Sequence, residues 1–185
     1  MIVAAARLLL AEDGLVGVSL RRLASGLGVT APALYAYFES KDDLLAAVAA
    51  EEFAELFVAL QDSTAGLADP IDRMVAQSHA YVEHLVEHPV LFDLMTVFRP
   101  GTIPQPAATE LSSASKSFDE SSIAIRDAMA AGLLRETDPL LVGLTLWSAV
   151  HGVTAVLLSR PNLGRDYEAA LVDSVIRSVV DGLRV

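Results

Sequence analysis

From Ser19 to Leu45 the chain reads SLRRLASGLGVTAPALYAYFESKDDLL, and this stretch predicts two short helices joined by a tight turn. Ser19 is placed to cap the first helix, Leu20, Leu23 and Leu27 give it an apolar face, and Ala24 is small enough for a second helix to cross closely. Gly28 ends it, because glycine takes the left-handed conformation without the penalty of a Cβ. Val29 is expected to plug the space between the helices, and Thr30 to cap the second. Pro32 is tolerated in a first turn whose amides lack intrahelical partners. Leu34 and Phe38, one turn apart, should point inward. Tyr35 and Tyr37 fall on other faces, where a phenol can donate to a phosphate oxygen or lie against a base edge. The shape fits the DNA major groove.

Thr30 to Leu45 resembles the recognition helix and linker of the tetracycline-repressor (TetR) family of ligand-controlled transcription factors. Ala4-Ala-Ala-Arg-Leu-Leu-Leu-Ala-Glu-Asp-Gly14 resembles that family's first helix, which ends at a glycine. Farther on, Leu146-Trp-Ser-Ala-Val-His-Gly152 is similar to a Trp…His-Gly signature of one C-terminal ligand-binding subgroup. The resemblance implies phosphate contacts from Thr30, Tyr35, Tyr37 and Lys41, and base-edge contacts from Ala31, Pro32 and Ala33. Ser19 and Arg21 are further candidates, because the amino end of the preceding helix favours a phosphate. The Ala31-Pro-Ala33 tip offers no bidentate donor for guanine, so contact with thymine methyl groups is its expected use. The family's basic segment before the first helix has no counterpart in Met1-Ile2, which already lies within the helical pattern.

Composition supports and qualifies this. With 185 residues the chain suits one or two small domains, and with no cysteine it has neither a disulfide framework nor a thiolate metal site. Its apolar start alternates with Arg7, Glu12 and Asp13 at helical spacing, unlike a signal peptide, so a cytoplasmic location is expected. The net charge of −11 runs against DNA binding until it is divided. Residues 1 to 50 hold four basic and five acidic side chains, a net of −1, so the remainder carries −10. The acid thus sits away from the predicted wedge, where it would repel the duplex and orient the molecule. Few cations remain to release counterions, which predicts a shallow salt dependence.

Helical periodicity runs nearly throughout, without the alternation of a strand, and predicts an all-α fold of about nine helices. The expected elements are helix 1 from Ile2 to Glu12, the helix-turn-helix from Ser19 to Phe38, and a long fourth helix from a Ser40 cap to Asp62. Helix 5 should run from Asp69-Pro70 to Glu87, helix 6 from Val90 to Phe98, and helix 7 from Ala107 to Ala131. Helix 8 should span Asp138-Pro139 to Ser159, and helix 9 should start at Asp166. Residues 1–45 are expected to form the DNA-binding domain and 46–185 an effector-binding and dimerisation domain.

Leu140 to Leu158 carries no charge at neutral His and is long enough to span a bilayer. Gly143, Thr145, Ser148, His151, Gly152 and Thr154 interrupt it and no basic flank precedes it, so a helix buried on several sides is preferred and no membrane is expected. Val142, Leu146 and Val150, with Leu171, Val175 and Val179 of helix 9, are the candidate dimer face. Helical phase suggests an effector cavity lined by Phe57, Leu60, Val86, Phe92, Met95, Phe98, Phe118, Ser122, Met129, Trp147 and His151, suited to a lipophilic or aromatic ligand. Trp147 and His151 also suit a structural pair in the core.

His84 and His88 stand one turn apart beside Glu83 and Glu87, a spacing able to hold a divalent metal, and raise the alternative of a metal-assisted hydrolase. Such pairs are ordinary on an exposed helix face. With no third ligand, nucleophile motif or phosphate-binding glycine loop, no catalytic residue, metal or cofactor is expected. The other alternative is a ligand-binding module of this fold that has lost DNA affinity. Together the motifs point to a regulator whose partners are palindromic or pseudo-palindromic double-stranded operator DNA, a small effector and a second copy of itself.

Overall fold

A computed structural model describes residues 1–97, 112–159 and 162–185. Among the described residues there are nine α-helices, and the β-type pairing is one isolated bridge between Leu134 and Arg184. The helices are α1 (Ile2–Gly17), α2 (Leu20–Leu27), α3 (Ala31–Tyr35), α4 (Lys41–Ser63), α5 (Pro70–Glu87), α6 (Pro89–Val97), α7 (Ser112–Ala130), α8 (Pro139–Ser159) and α9 (Arg165–Leu183).

Local chemistry sets most boundaries. α4 opens on a reciprocal capping box: the Asp43 amide donates to Ser40 Oγ at 3.1 Å and the Ser40 amide donates to the Asp43 carboxylate at 3.0 Å. α5 and α8 share an Asp-Pro start. Asp69 Oδ1 accepts from the Ile71 amide at 2.7 Å and Asp138 Oδ1 from the Leu140 amide at 2.9 Å. The intervening proline has no amide to leave unsatisfied. α1 joins two helical segments across a kink: the first ends at Gly14 (φ 65°, ψ −178°), the glycine expected to end it, and a further turn continues to Gly17.

The chain divides into two compact units. The first comprises Met1–Ala54 with His88–Ala114, the second Glu55–Glu87 with Ser115–Val185. This partition differs from the boundary at residue 45 for a packing reason. Val48 and Ala49 of α4 and Val90 and Leu94 of α6 are buried in one apolar cluster with Ala6, Leu10, Leu20, Leu23 and Leu34. Each such leucine or valine gains about 1.5–3 kcal/mol from leaving water, which holds α6 against α1.

In the second unit α5, α8 and α9 pack pairwise. Their interior holds Met74, Tyr81, Val82 and Leu85 from α5, Val142, Leu146, Val150 and Val153 from α8, and Val172, Ile176 and Val180 from α9. Among the described residues α8 is the one helix long and apolar enough to cross a membrane, with a mean hydropathy of 1.8.

Candidate nucleic-acid interface and ligand-binding unit

The helix-turn-helix closes through its backbone. Ser19 Oγ accepts from the Arg22 amide at 3.2 Å, capping α2 as expected. Gly28 ends α2 in the left-handed conformation (φ 68°, ψ 24°), and the Val29 amide then donates to the Ala24 carbonyl at 3.0 Å. This turn swings the Val29 side chain outward, so it remains exposed and does not plug the interhelical space. Buried Leu20, Leu23, Ala24 and Leu34 fill that role.

Thr30 occupies the cap position of α3 with an extended backbone, yet its side chain makes no cap hydrogen bond. Its exposed hydroxyl is therefore available outside the helix. α3 and the residues just after it are two-sided: Leu34 is 2% exposed, whereas Tyr35 is 49% and Tyr37, beyond the helix end, 73% exposed. Pro32, Ala33 and Ala36 are exposed and Ala31 half-buried.

Cations in this unit are mostly engaged. Arg22 pairs with Asp13 at 2.6 Å. Arg7 reaches the buried carboxylate of Glu52 at 2.7 Å, and His88 Nδ1 lies 3.8 Å from the other oxygen of Glu52. The Lys41 ammonium donates to the Leu15 carbonyl, so a group expected to contact phosphate instead ties the start of α4 to the end of α1. Exposed Arg21 is the remaining basic side chain, and among the described residues of the first unit it alone has no acidic or carbonyl partner. His88 thus faces Glu52, a carboxylate that sequence spacing does not reveal, and His84 is buried where an exposed face was expected.

The second unit centres a polar group on Tyr81, which sequence reasoning passed over. The Trp147 indole donates to Tyr81 Oη at 3.0 Å, and Tyr81 Oη lies 3.1 Å from His151 Nδ1. Trp147 and His151 also stack, with ring centroids 5.0 Å apart and planes at 30°. The indole can only donate, so the phenol oxygen accepts from it, and the imidazole tautomer sets the direction of the Tyr81–His151 bond. Burial holds the His151 pKa below and the Tyr81 pKa above their ordinary values, the latter opposed by the Trp147 bond. The available signal was position: Tyr81 follows Met74 and Ser78 along the inward stripe of α5, where a phenol needs a polar partner.

The other predicted lining residues are scattered. Leu60 and Ser122 are buried, Phe57 and Met129 half-buried, and Phe92 and Met95 belong to the first unit. Val86 faces solvent, because the inward stripe of α5 runs through Tyr81, Val82 and Leu85. Phe98 and the Phe118 side chain lie outside the described residues. A cleft of about 160 Å³ between α5 and α9, lined by Ile71, Asp72, Val75, Arg177, Val180, Asp181 and Arg184, includes none of the predicted residues.

The predicted dimer face needs a change of phase. Val142, Leu146 and Val150 are buried in the subunit's own core because α5 and α9 pack there. The outward apolar residues of α8 are Leu140, Leu141, Leu144, Trp147 and Val156. Leu171, Val175 and Val179 are half-buried on α9, beside the fully packed Val172, Ile176 and Val180.

No curated protein matches the chain. Among solved structures, it is similar to a protein of unknown function from Rhodococcus sp. RHA1, with 26% identity and a TM-score of 0.84 over 100% of this chain and 94% of that one. The TetR family regulator PfmR of Thermus thermophilus shares 22% identity at a TM-score of 0.73, over 95% and 94% of the two chains. A TetR family transcription regulator from Marinobacter aquaeolei shares 20% identity at 0.73, over 99% and 93%. Residues 2–48 match the family model for bacterial regulatory proteins of the TetR family. Residues 74–179 match the tetracyclin repressor-like C-terminal domain, a description that does not single out the Trp…His-Gly subgroup. The chain belongs to the TetR family and is a ligand-responsive, DNA-binding transcriptional regulator.

Proposed function

We propose that this regulator is a cytoplasmic homodimeric repressor, released from a palindromic operator by a small lipophilic or aromatic effector. The observation that carries the proposal is the two-sidedness of α3: Leu34 is locked inward while Thr30, Tyr35 and Tyr37 stand in solvent with no structural task. Ser19, Ala31, Pro32, Ala33 and the free guanidinium of Arg21 complete the duplex-facing surface, and residues 1–45 carry it. Pairing through the outward face of α8, with the Leu171, Val175 and Val179 flank of α9, gives the dimer two copies of α3 for the two half-sites of an operator, which lie one duplex turn apart, about 34–36 Å, or a multiple of it. An effector that favours a second conformation of the ligand-binding unit by about 2–3 kcal/mol loosens the operator by tens- to over a hundredfold.

The test combines sedimentation with a shift assay on duplexes from the DNA flanking the gene. Two subunits per operator, released by aromatic or long-chain probes, are expected. A monomer in solution, or no specific shift at low salt, would overturn the proposal.

A further inference from the structure

Resting on the DNA-facing assignment of α3 above, we infer that its face reads the operator through thymine methyl groups, with no bidentate hydrogen bond to any base. From Val29 to Tyr37 the sequence is VTAPALYAY, without one Arg, Lys, Asn, Gln, Asp or Glu. Guanine is read by paired donors from Arg or Lys, adenine by Asn or Gln, and cytosine by Asp or Glu accepting from its amine. None of these groups stands on α3.

What stands there instead is an exposed apolar surface. Pro32, Ala33 and Ala36 are all solvent-exposed. Spacings of three and four residues place Ala36 beside both of the others on one helical face, since its backbone remains helical (φ −73°, ψ −19°). Val29 adds a further exposed side chain at the preceding turn. The core of this unit is already filled by Leu20, Leu23, Leu34 and their neighbours, so the outward surface is not a misplaced part of it. The thymine C5-methyl is the one apolar group on a major-groove base edge, and Pro and Ala side chains match it in size and polarity. Tyr35, Tyr37 and Thr30 add single hydroxyl contacts at the margin, and Arg21, on α2, is the only free guanidinium among the described residues nearby.

The experiment uses the full-length chain and the duplex it selects from a randomised pool of double-stranded DNA. Each thymine is then replaced by uracil, which lacks only the methyl, and each guanine by 7-deazaguanine, which lacks the major-groove N7. Burying one methyl is worth about a fourfold change in affinity, so uracil at each contacted position should weaken binding about fourfold, and replacement of two contacted thymines in each of the two half-sites by roughly 250-fold. Any loss with 7-deazaguanine should disappear in Arg21→Ala, whose α3 surface is intact. Uracil substitutions without effect, or a guanine N7 dependence that persists in Arg21→Ala, would overturn the inference while leaving DNA binding in place. Failure to recover any preferred duplex would instead overturn the functional reading on which it rests.

Discussion

Leu34 and Tyr35 are neighbours in sequence and opposites in role, so truncating each to alanine separates folding from DNA recognition. Leu34 is 2% exposed within the α1, α2, α4 and α6 cluster. Leu34→Ala should cost about 3 kcal/mol, within the roughly 2–5 kcal/mol range for a buried leucine whose cavity only partly collapses. At about 2–4 °C per kcal/mol for a chain of this size, the melting point falls by about 6–12 °C. Tyr35 is half-exposed and lacks the buried hydrogen-bond network that holds Tyr81, so Tyr35→Ala should leave the melting point within about 2 °C of the parent. Its loss appears in binding. A phenol donating to a charged phosphate oxygen contributes about 1.5 kcal/mol, and the proposed dimer would lose two such bonds, about 3 kcal/mol or over a hundredfold in Kd. Thermal melting and fluorescence anisotropy on the selected duplex measure both quantities. The reasoning is refuted if Tyr35→Ala melts early with unchanged affinity, or if Leu34→Ala is as stable as the parent.

Four other outcomes follow from the same geometry. Tyr81→Phe removes the oxygen that joins Trp147 to His151 and should lower stability by about 1–2 kcal/mol in chemical denaturation; an unchanged midpoint would count against the network. Because burial holds the His151 pKa below its ordinary value, the folded protein resists protonation that the unfolded chain accepts. The His151 contribution is therefore complete above about pH 6.5 and declines as pH falls toward the folded pKa, so the melting point should drop as pH falls below about 6.5, and less so in His151→Gln. Leu144→Glu, on the outward face of α8, should yield a helical monomer in sedimentation, and a persisting dimer would reject that face. Gly17→Ala would place a Cβ 2.5 Å from Asp13 Cβ and 3.8 Å from the Arg22 guanidinium, disturbing the α1 to α2 ion pair. A loss of about 1–3 kcal/mol is expected, measured by thermal melting, and a neutral effect would contradict the packing.

What could be read from the sequence depended on whether a segment carried contrast. In α2, Arg21, Arg22, Ser25 and Gly26 alternate with Leu20, Leu23 and Ala24, so only one helical phase buries the apolar side, and the structure has that phase. Caps at Ser19, Asp69 and Asp138 were legible because a short acceptor before a helix start has one local task, which tertiary packing seldom overrides. The contacts of Lys41, Arg22 and His88 were not, since each meets a partner on another element or beyond a chain turn, at Leu15, Asp13 and Glu52. No local spacing encodes such distances.

α8 shows the limit most clearly. Between Leu140 and Leu158 no charged side chain marks a solvent face, and the small and hydroxyl residues fall on several sides, so hydropathy gave the element and its ends but not its rotation. The choice of Val142, Leu146 and Val150 as a partner-facing stripe selected a real helical stripe and the wrong side of it for an exposed surface. α5 and α9 settle the rotation by packing against that side, which leaves Leu140, Leu141 and Leu144 outside. Hydroxyls at Thr145 and Ser148 can share the outward side because each donates to a carbonyl one turn back, at 2.8 and 2.7 Å, leaving side-chain carbons as their outer surface. A helix of this composition can therefore present a nearly apolar exterior while naming no face in its sequence, and only its neighbours within the subunit determine which residues remain exposed.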